Sequence, residues 1–228
     1  MTGTDHNASP FNAIPPVTTA LVIVMAGVEL ILSLGARGLM GGPGAVGWRI
    51  QTIERYAFSG DILAWMVETG RFPPEHLMRF LTYPFVHGTF TAALFAAVMM
   101  LALGKIVGEA LGPLRMLAIF VVTAIVGAVV FGLFAGRVPL IGAFPPIYGL
   151  IGAFTYLLWL RLGQMGEAQI RAFSLIGVLL GLQLVFGLLF GGGPYWIAEV
   201  AGFVAGFAMA IVLVPGGLTR LVARLRER

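Results

Sequence analysis

Cysteine is absent from the 228 residues, which excludes a disulfide framework, a thiolate nucleophile and any cysteine-ligated metal. Charge is nearly as scarce. Asp, Glu, Lys and Arg make up 11% of the chain, against roughly 25% in a soluble globular domain. Between Pro84 and Val214 the only charged side chains are Lys105, Glu109, Arg115, Arg137, Arg161, Glu167, Arg171 and Glu199, so the stretches between them are long enough to cross a bilayer. Apolar residues are abundant, at 59% with a mean hydropathy of +0.96. This composition excludes a soluble domain and describes an all-α, polytopic membrane protein. A transmembrane barrel needs segments of about ten residues alternating apolar and polar. The runs here are apolar on all sides and exclude it.

The formal net charge is +4 and the pI near 10, but the basic residues stand at loop ends and form no stripe interleaved with aromatics. Nucleic acid is therefore not an expected partner, and membrane lipid is. Residues 1–15 hold no Lys or Arg, so the positive region of a cleaved signal peptide is missing and the first apolar stretch is expected to remain. Spans are predicted near 16–34, 86–104, 115–135, 145–161, 172–190 and 196–214, which makes a six-helix membrane domain over 16–214.

Residues 35–79 mix Arg37, Arg49, Glu54, Arg55, Asp61, Glu68, Arg71, Glu75 and Arg79 with Trp48, Tyr56, Phe58 and Trp65. Such a mixture predicts short amphipathic helices at the interface. One is expected to start at Ser59-Gly60-Asp61 and stop at Gly70, with Pro73-Pro74 opening the next. Trp48, Trp65, Trp159 and Trp196 fall near span ends, as interfacial anchors should.

Six spans put both termini on one side of the membrane. That side collects Lys105, Arg115, Arg161, Arg171 and the basic tail over 215–228, with Arg220, Arg224, Arg226 and Arg228. The other side holds Arg137 and the five arginines of the first loop. Both termini, residues 1–15 and 215–228, are placed in the cytoplasm, with a bacterial inner membrane as the expected location. Glycine supplies 32 residues, and the Gly202-x-x-x-Gly206 spacing predicts close helix packing. No repeat of the kind that marks secondary transporters is present.

The stretch Arg79-Phe80-Leu81-Thr82-Tyr83-Pro84-Phe85-Val86-His87-Gly88-Thr89-Phe90, followed by an apolar helix, resembles the start of the second helix of rhomboid intramembrane serine proteases. Gly104 to Arg115 is similar to the turn after that helix, with the acidic residue, Glu109, one place later than usual. Pro139-Leu140-Ile141-Gly142-Ala143 and then Ile147-Tyr148-Gly149-Leu150-Ile151-Gly152-Ala153 resemble the loop and fourth helix that carry the rhomboid nucleophile. Ala198 to Gly206 is similar to the last helix, whose glycines stand three and seven residues after the family's catalytic histidine.

The resemblance implies a rhomboid-like bundle with a short central fourth helix that starts in a water-accessible cavity. It also implies where catalytic groups would stand, and other residues stand there. The nucleophile position is Phe144, the general-base position Glu199, and the two oxyanion positions are Ala92 and Ala96. A serine hydrolase needs an activated hydroxyl, a base within reach and donors aimed at the oxyanion. Pro145 and Pro146, which follow Phe144, have no backbone N–H to offer. The serines are Ser9, Ser33, Ser59 and Ser174 and the histidines His6, His76 and His87, and no pair among them is expected to face across the cavity.

Glu199 in an apolar helix is a functional candidate because a desolvated carboxylate is costly. The structural reading is preferred, with the Tyr148 hydroxyl as its hydrogen-bond partner. Glu29 is expected to reach the interface or a loop amide, His87 to anchor a loop, and no metal or cofactor is expected, since His76 with Glu75 does not make a metal site. The expected function is retention or escort of a transmembrane protein client, bound near Phe144, Pro145, Pro146, Tyr148 and Glu199 and not cleaved. The alternative is an active intramembrane serine endopeptidase, as the resemblance implies. A small transporter or proton-conducting protein built around Glu29 and Glu199 comes third.

Overall fold

The computed structural model describes residues 14–135, 138–190 and 193–215. The N-terminal tail through residue 13, Arg137, and the basic tail from residue 216 with its four arginines lie outside the described residues. Helix α1 spans Pro16–Ala36; α2 to α5 span Trp48–Tyr56, Gly60–Thr69, Pro74–Leu77 and Arg79–Thr82. The remaining helices are α6 (Phe90–Leu111), α7 (Pro113–Phe134), α8 (Phe144–Gln164), α9 (Ser174–Phe190) and α10 (Trp196–Leu213). No β-strand occurs among the described residues. Phe58 and Leu140 form an isolated antiparallel bridge between the first loop and the segment before α8.

Four helices, α1, α6, α7 and α10, are long and apolar enough to cross a membrane. Their outward side chains, Ile23, Leu133 and Val204 among them, are more than half exposed; in water this would be a liability, and in lipid it is the stable arrangement. Helix α8 is the most enclosed, with every residue from Pro145 to Ala153 buried. It carries Arg161 near its end.

Two expectations need correction. The second long helix begins at Phe90, not at 86, because Val86 is extended and the Thr89 hydroxyl caps the helix by accepting the Ala92 N–H at 3.2 Å. It continues to Leu111, since Lys105 and Glu109 point outward while Gly104 and Gly108 face α1. The fourth helix is central but not short: α8 has 21 residues, the same as α1.

Glycines set the helix spacing. A Cβ on Gly202 would strike the carbonyl oxygen of Pro145, and one on Gly206 that of Gly149. From the other side, a Cβ on Gly152 would strike the carbonyl oxygen of Phe203. The backbones of α8 and α10 are thus in direct contact, as small residues four apart permit where lipid supplies no hydrophobic drive. A second such stripe, Gly104-x-x-x-Gly108 on α6, receives Thr18 and Pro15 at the start of α1.

The first loop is folded onto the bundle. Helix α3 stops at Gly70 in the left-handed conformation, φ +65°. Ser59 has N-cap geometry, but its hydroxyl makes no capping bond. The Arg79 guanidinium donates to the carbonyls of Glu54 and Ala57 at 2.9 Å each, which staples α5 to the end of α2. Trp48, expected as an interfacial anchor, packs its ring against Gly35 and Gly41 at the end of α1.

Candidate functional site

A cavity of about 380 Å³ lies over the first turn of α8. Three segments before or beside α8 wall it: His87, Gly88 and Thr89 before α6 with Ala92 in its first turn; Leu140, Ile141 and Gly142 before α8; and Gln183 on α9. Phe144, Pro145, Tyr195 and Glu199 complete the lining. The loop before α8 reaches this place because three backbone bonds fix it, Gly142 N–H to the Tyr83 carbonyl at 2.9 Å, Leu140 N–H to the Phe58 carbonyl at 2.8 Å and Phe58 N–H to the Leu140 carbonyl at 3.1 Å. Gly142 makes the turn at φ +88°, a conformation that side chains rarely adopt. Tyr83 is itself fully buried and donates its hydroxyl to the Ala124 carbonyl at 3.0 Å, tying the site to α7.

The Phe144 ring projects over the cavity and stacks on Phe95 of α6, ring centroids 6.1 Å apart. Ala92 contributes a methyl to the lining, while Ala96 is fully buried in the main apolar core and does not reach the cavity. Pro145 and Pro146 occupy the first turn of α8, where their missing N–H groups cost the helix nothing and leave it few donors. Of the remaining amides there, Ala143 donates to His87 Nε2 at 3.4 Å and Ile147 to the Ala143 carbonyl at 2.9 Å.

Glu199 lies in the first turn of α10, 94% buried by its 6% exposure. Its carboxyl accepts the Gln183 Nε2 amide at 2.5 Å. The Tyr148 hydroxyl, four residues along α8 from Phe144, also interacts with it as a hydrogen-bond donor. Sequence reading missed Gln183. It is the one strongly polar side chain within α9, and a lone amide in one apolar helix is the natural partner of a lone carboxyl in another, because neither finds water there.

Among the described residues, no serine lines the cavity. Its Thr89 hydroxyl oxygen caps α6, and neither His87 nor Glu199 bonds to it. The serine that does touch an acid is Ser33, whose hydroxyl donates to Glu29 at 2.6 Å. That pair is outside the lining and is already committed to Arg49. The Arg49 guanidinium donates to Glu29 Oε1 at 2.6 Å, to Glu29 Oε2 at 3.0 Å and to the His87 carbonyl at 2.6 Å. Glu29 therefore binds an arginine of the first loop, not a loop amide.

Among the described residues, no group of three or more His, Cys, Asp or Glu side chains is placed to hold a metal. His76 instead meets Trp65 edge to face, at 5.5 Å.

His87 joins the ion pair to the cavity, its main chain held by Arg49 and its side chain by Ala143. Burial pushes its imidazole down to about 4 from the ordinary 6.5; Glu29 opposes that shift and Arg49 adds to it. Between those two pH values the unfolded chain binds a proton that the folded chain refuses, so stability falls as pH falls through that window and levels off below about 4. The loss is expected to reach about 3 kcal/mol at most. Melting temperatures of the purified protein at pH 7 to 4, with His87→Gln alongside, check this. The variant should lose part of the slope, and identical slopes would contradict the assignment.

A helix enclosed by its neighbours, with a cavity over its first turn that Glu199 and Gln183 border and glycines pressing the last helix against it, defines an intramembrane bundle built around an internal site. The Rhomboid domain model matches residues 74–216, well over half of the chain, and the protein belongs to the rhomboid family. A comparison with curated proteins finds none that matches.

Proposed function

We propose that this rhomboid-family membrane protein does not cleave peptide bonds and instead binds transmembrane segments of client proteins. The observation that carries the reading is the Phe144 ring at the head of α8: it stacks on Phe95, at the position that the resemblance gives to the family's attacking hydroxyl, beside a cavity that no described serine lines. A phenyl ring has no oxygen to attack a carbonyl. Glu199 stands at the base position with its carboxyl bonded to Gln183. At the oxyanion positions, Ala92 and Ala96 carry methyl groups with no N–H or O–H to donate.

All six helices, α1 and α6 to α10, cross the membrane in this reading, with both termini in the cytoplasm and a bacterial inner membrane as the setting. The retained cavity and the close-packed core then serve recognition. Of the two carboxyls that a proton path would need, Glu29 is locked by Arg49, which disfavours the transporter reading.

A photoreactive amino acid placed at Phe144 tests this in native membranes. The expected result is an adduct whose mass equals this chain plus an intact partner, joined through the partner's membrane-spanning segment. Adducts confined to lipid, or to the ends of cleaved polypeptides, would overturn it.

A further inference from the structure

On the α9 and α10 side, Gln183 and Glu199 bring acceptor oxygens to the cavity wall, where an oxyanion site would need donors. Glu199 offers a carboxyl, 94% buried by its 6% exposure, and the Gln183 Oε1, on the amide whose Nε2 is given to Glu199, is buried without a hydrogen-bond partner. Donors at the start of α8 are few: Pro145 and Pro146 have no N–H, and Ala143's is spent on His87, which leaves the Phe144 N–H.

Both partners of Glu199 are neutral, and no basic side chain among the described residues pairs with it. A carboxylate has about four lone-pair sites, of which two are used here. Left without a cation, a carboxylate at this depth costs several kcal/mol, and a cation offsets that cost. A lysine or arginine in the middle of a transmembrane segment carries the same penalty with opposite sign, so bringing the two together relieves both.

We propose that the cavity over α8 selects transmembrane segments bearing an ammonium or guanidinium side chain, which Glu199 and the free Gln183 carbonyl oxygen accept. This rests on the client-binding reading above and names the chemistry that the client must present.

The test uses the full-length protein in liposomes with synthetic poly-leucine/alanine transmembrane peptides that differ at one central residue: lysine, arginine, norleucine or glutamate. Binding is read by energy transfer between labels. Lysine and arginine peptides are expected to bind at least tenfold more tightly than norleucine, with glutamate weakest. In Glu199→Gln, which keeps a shape that Gln183 can still bond, the lysine-to-norleucine ratio should fall to about one. A misfolded variant would lose norleucine binding too, and the wild-type peptide series stands without it. Equal affinity for lysine and norleucine peptides, or a lysine preference that survives in Glu199→Gln, would overturn the charge selection alone. Failure of every peptide to bind the wild type would overturn the client-binding reading as well.

Discussion

Gly206→Ala is expected to destabilise the bundle by about 1–3 kcal/mol, and Gly206→Leu by enough that little folded protein accumulates. The added carbon would meet the carbonyl oxygen of Gly149, with the rest of that residue's backbone close behind. A flexible side chain can rotate away from such a collision, whereas here two helix backbones must separate. That separation opens the α8 to α10 seam and displaces Pro145, which rests on Gly202 one turn earlier. Gly177→Ala on α9 provides the contrast, because nothing lies within 4 Å of its added carbon. There alanine's better helix propensity is worth up to about 1 kcal/mol in the stabilising direction. Thermal unfolding in detergent, followed by size-exclusion profiles, compares the two, and equal melting temperatures for Gly206→Ala and Gly177→Ala would contradict the packing described.

Arg49→Met is expected to cost about 3–5 kcal/mol, since it strands a carboxylate that is only 4% exposed. The Arg49 guanidinium bridges α1, Ser33 and the His87 carbonyl at once, so its loss also frees the first loop from the segment that feeds the cavity. Pairing it with Glu29→Gln removes the unpaired charge and should restore most of the stability but not the anchorage of the loop. The two effects are separable by melting temperature and by the rate of proteolysis within residues 35–79. A single Arg49→Met variant within about 1 kcal/mol of the wild type would show that Glu29 finds water or another donor.

The helices were legible because lipid imposes a simple rule: every backbone group must be bonded within the segment, so long apolar runs declare themselves. Their ends were less legible. Thr89 starts α6 at Phe90, four residues past the predicted start at 86, and Lys105 with Glu109 hide a continuation that only the inward face, Gly104 and Gly108, reveals. The place of Phe144 came from the rhomboid resemblance, directly after Pro139 to Ala143 and four residues before Tyr148, and that ring lies in the cavity lining. Partners across the sequence were the hard part. Arg49 and Glu29 are twenty residues apart, and nothing local indicates that α2 folds back over α1. Gln183 was readable in principle, as one amide in an apolar helix matched to one carboxyl in another. What hid it was the resemblance, which drew attention to the positions where catalytic groups would stand and away from α9.

The most direct test of the central claim is fluorophosphonate labelling of the purified protein in liposomes, with cleavage of a co-reconstituted transmembrane substrate followed in the same vesicles. The account predicts no stoichiometric label and no cleavage, in the wild type and in Phe144→Ser alike, because a restored hydroxyl would still have no histidine at Glu199 and no donors at Ala92 and Ala96. Labelling of the wild type that a single Ser33→Ala or Thr89→Ala change abolishes, together with loss of cleavage, would contradict it.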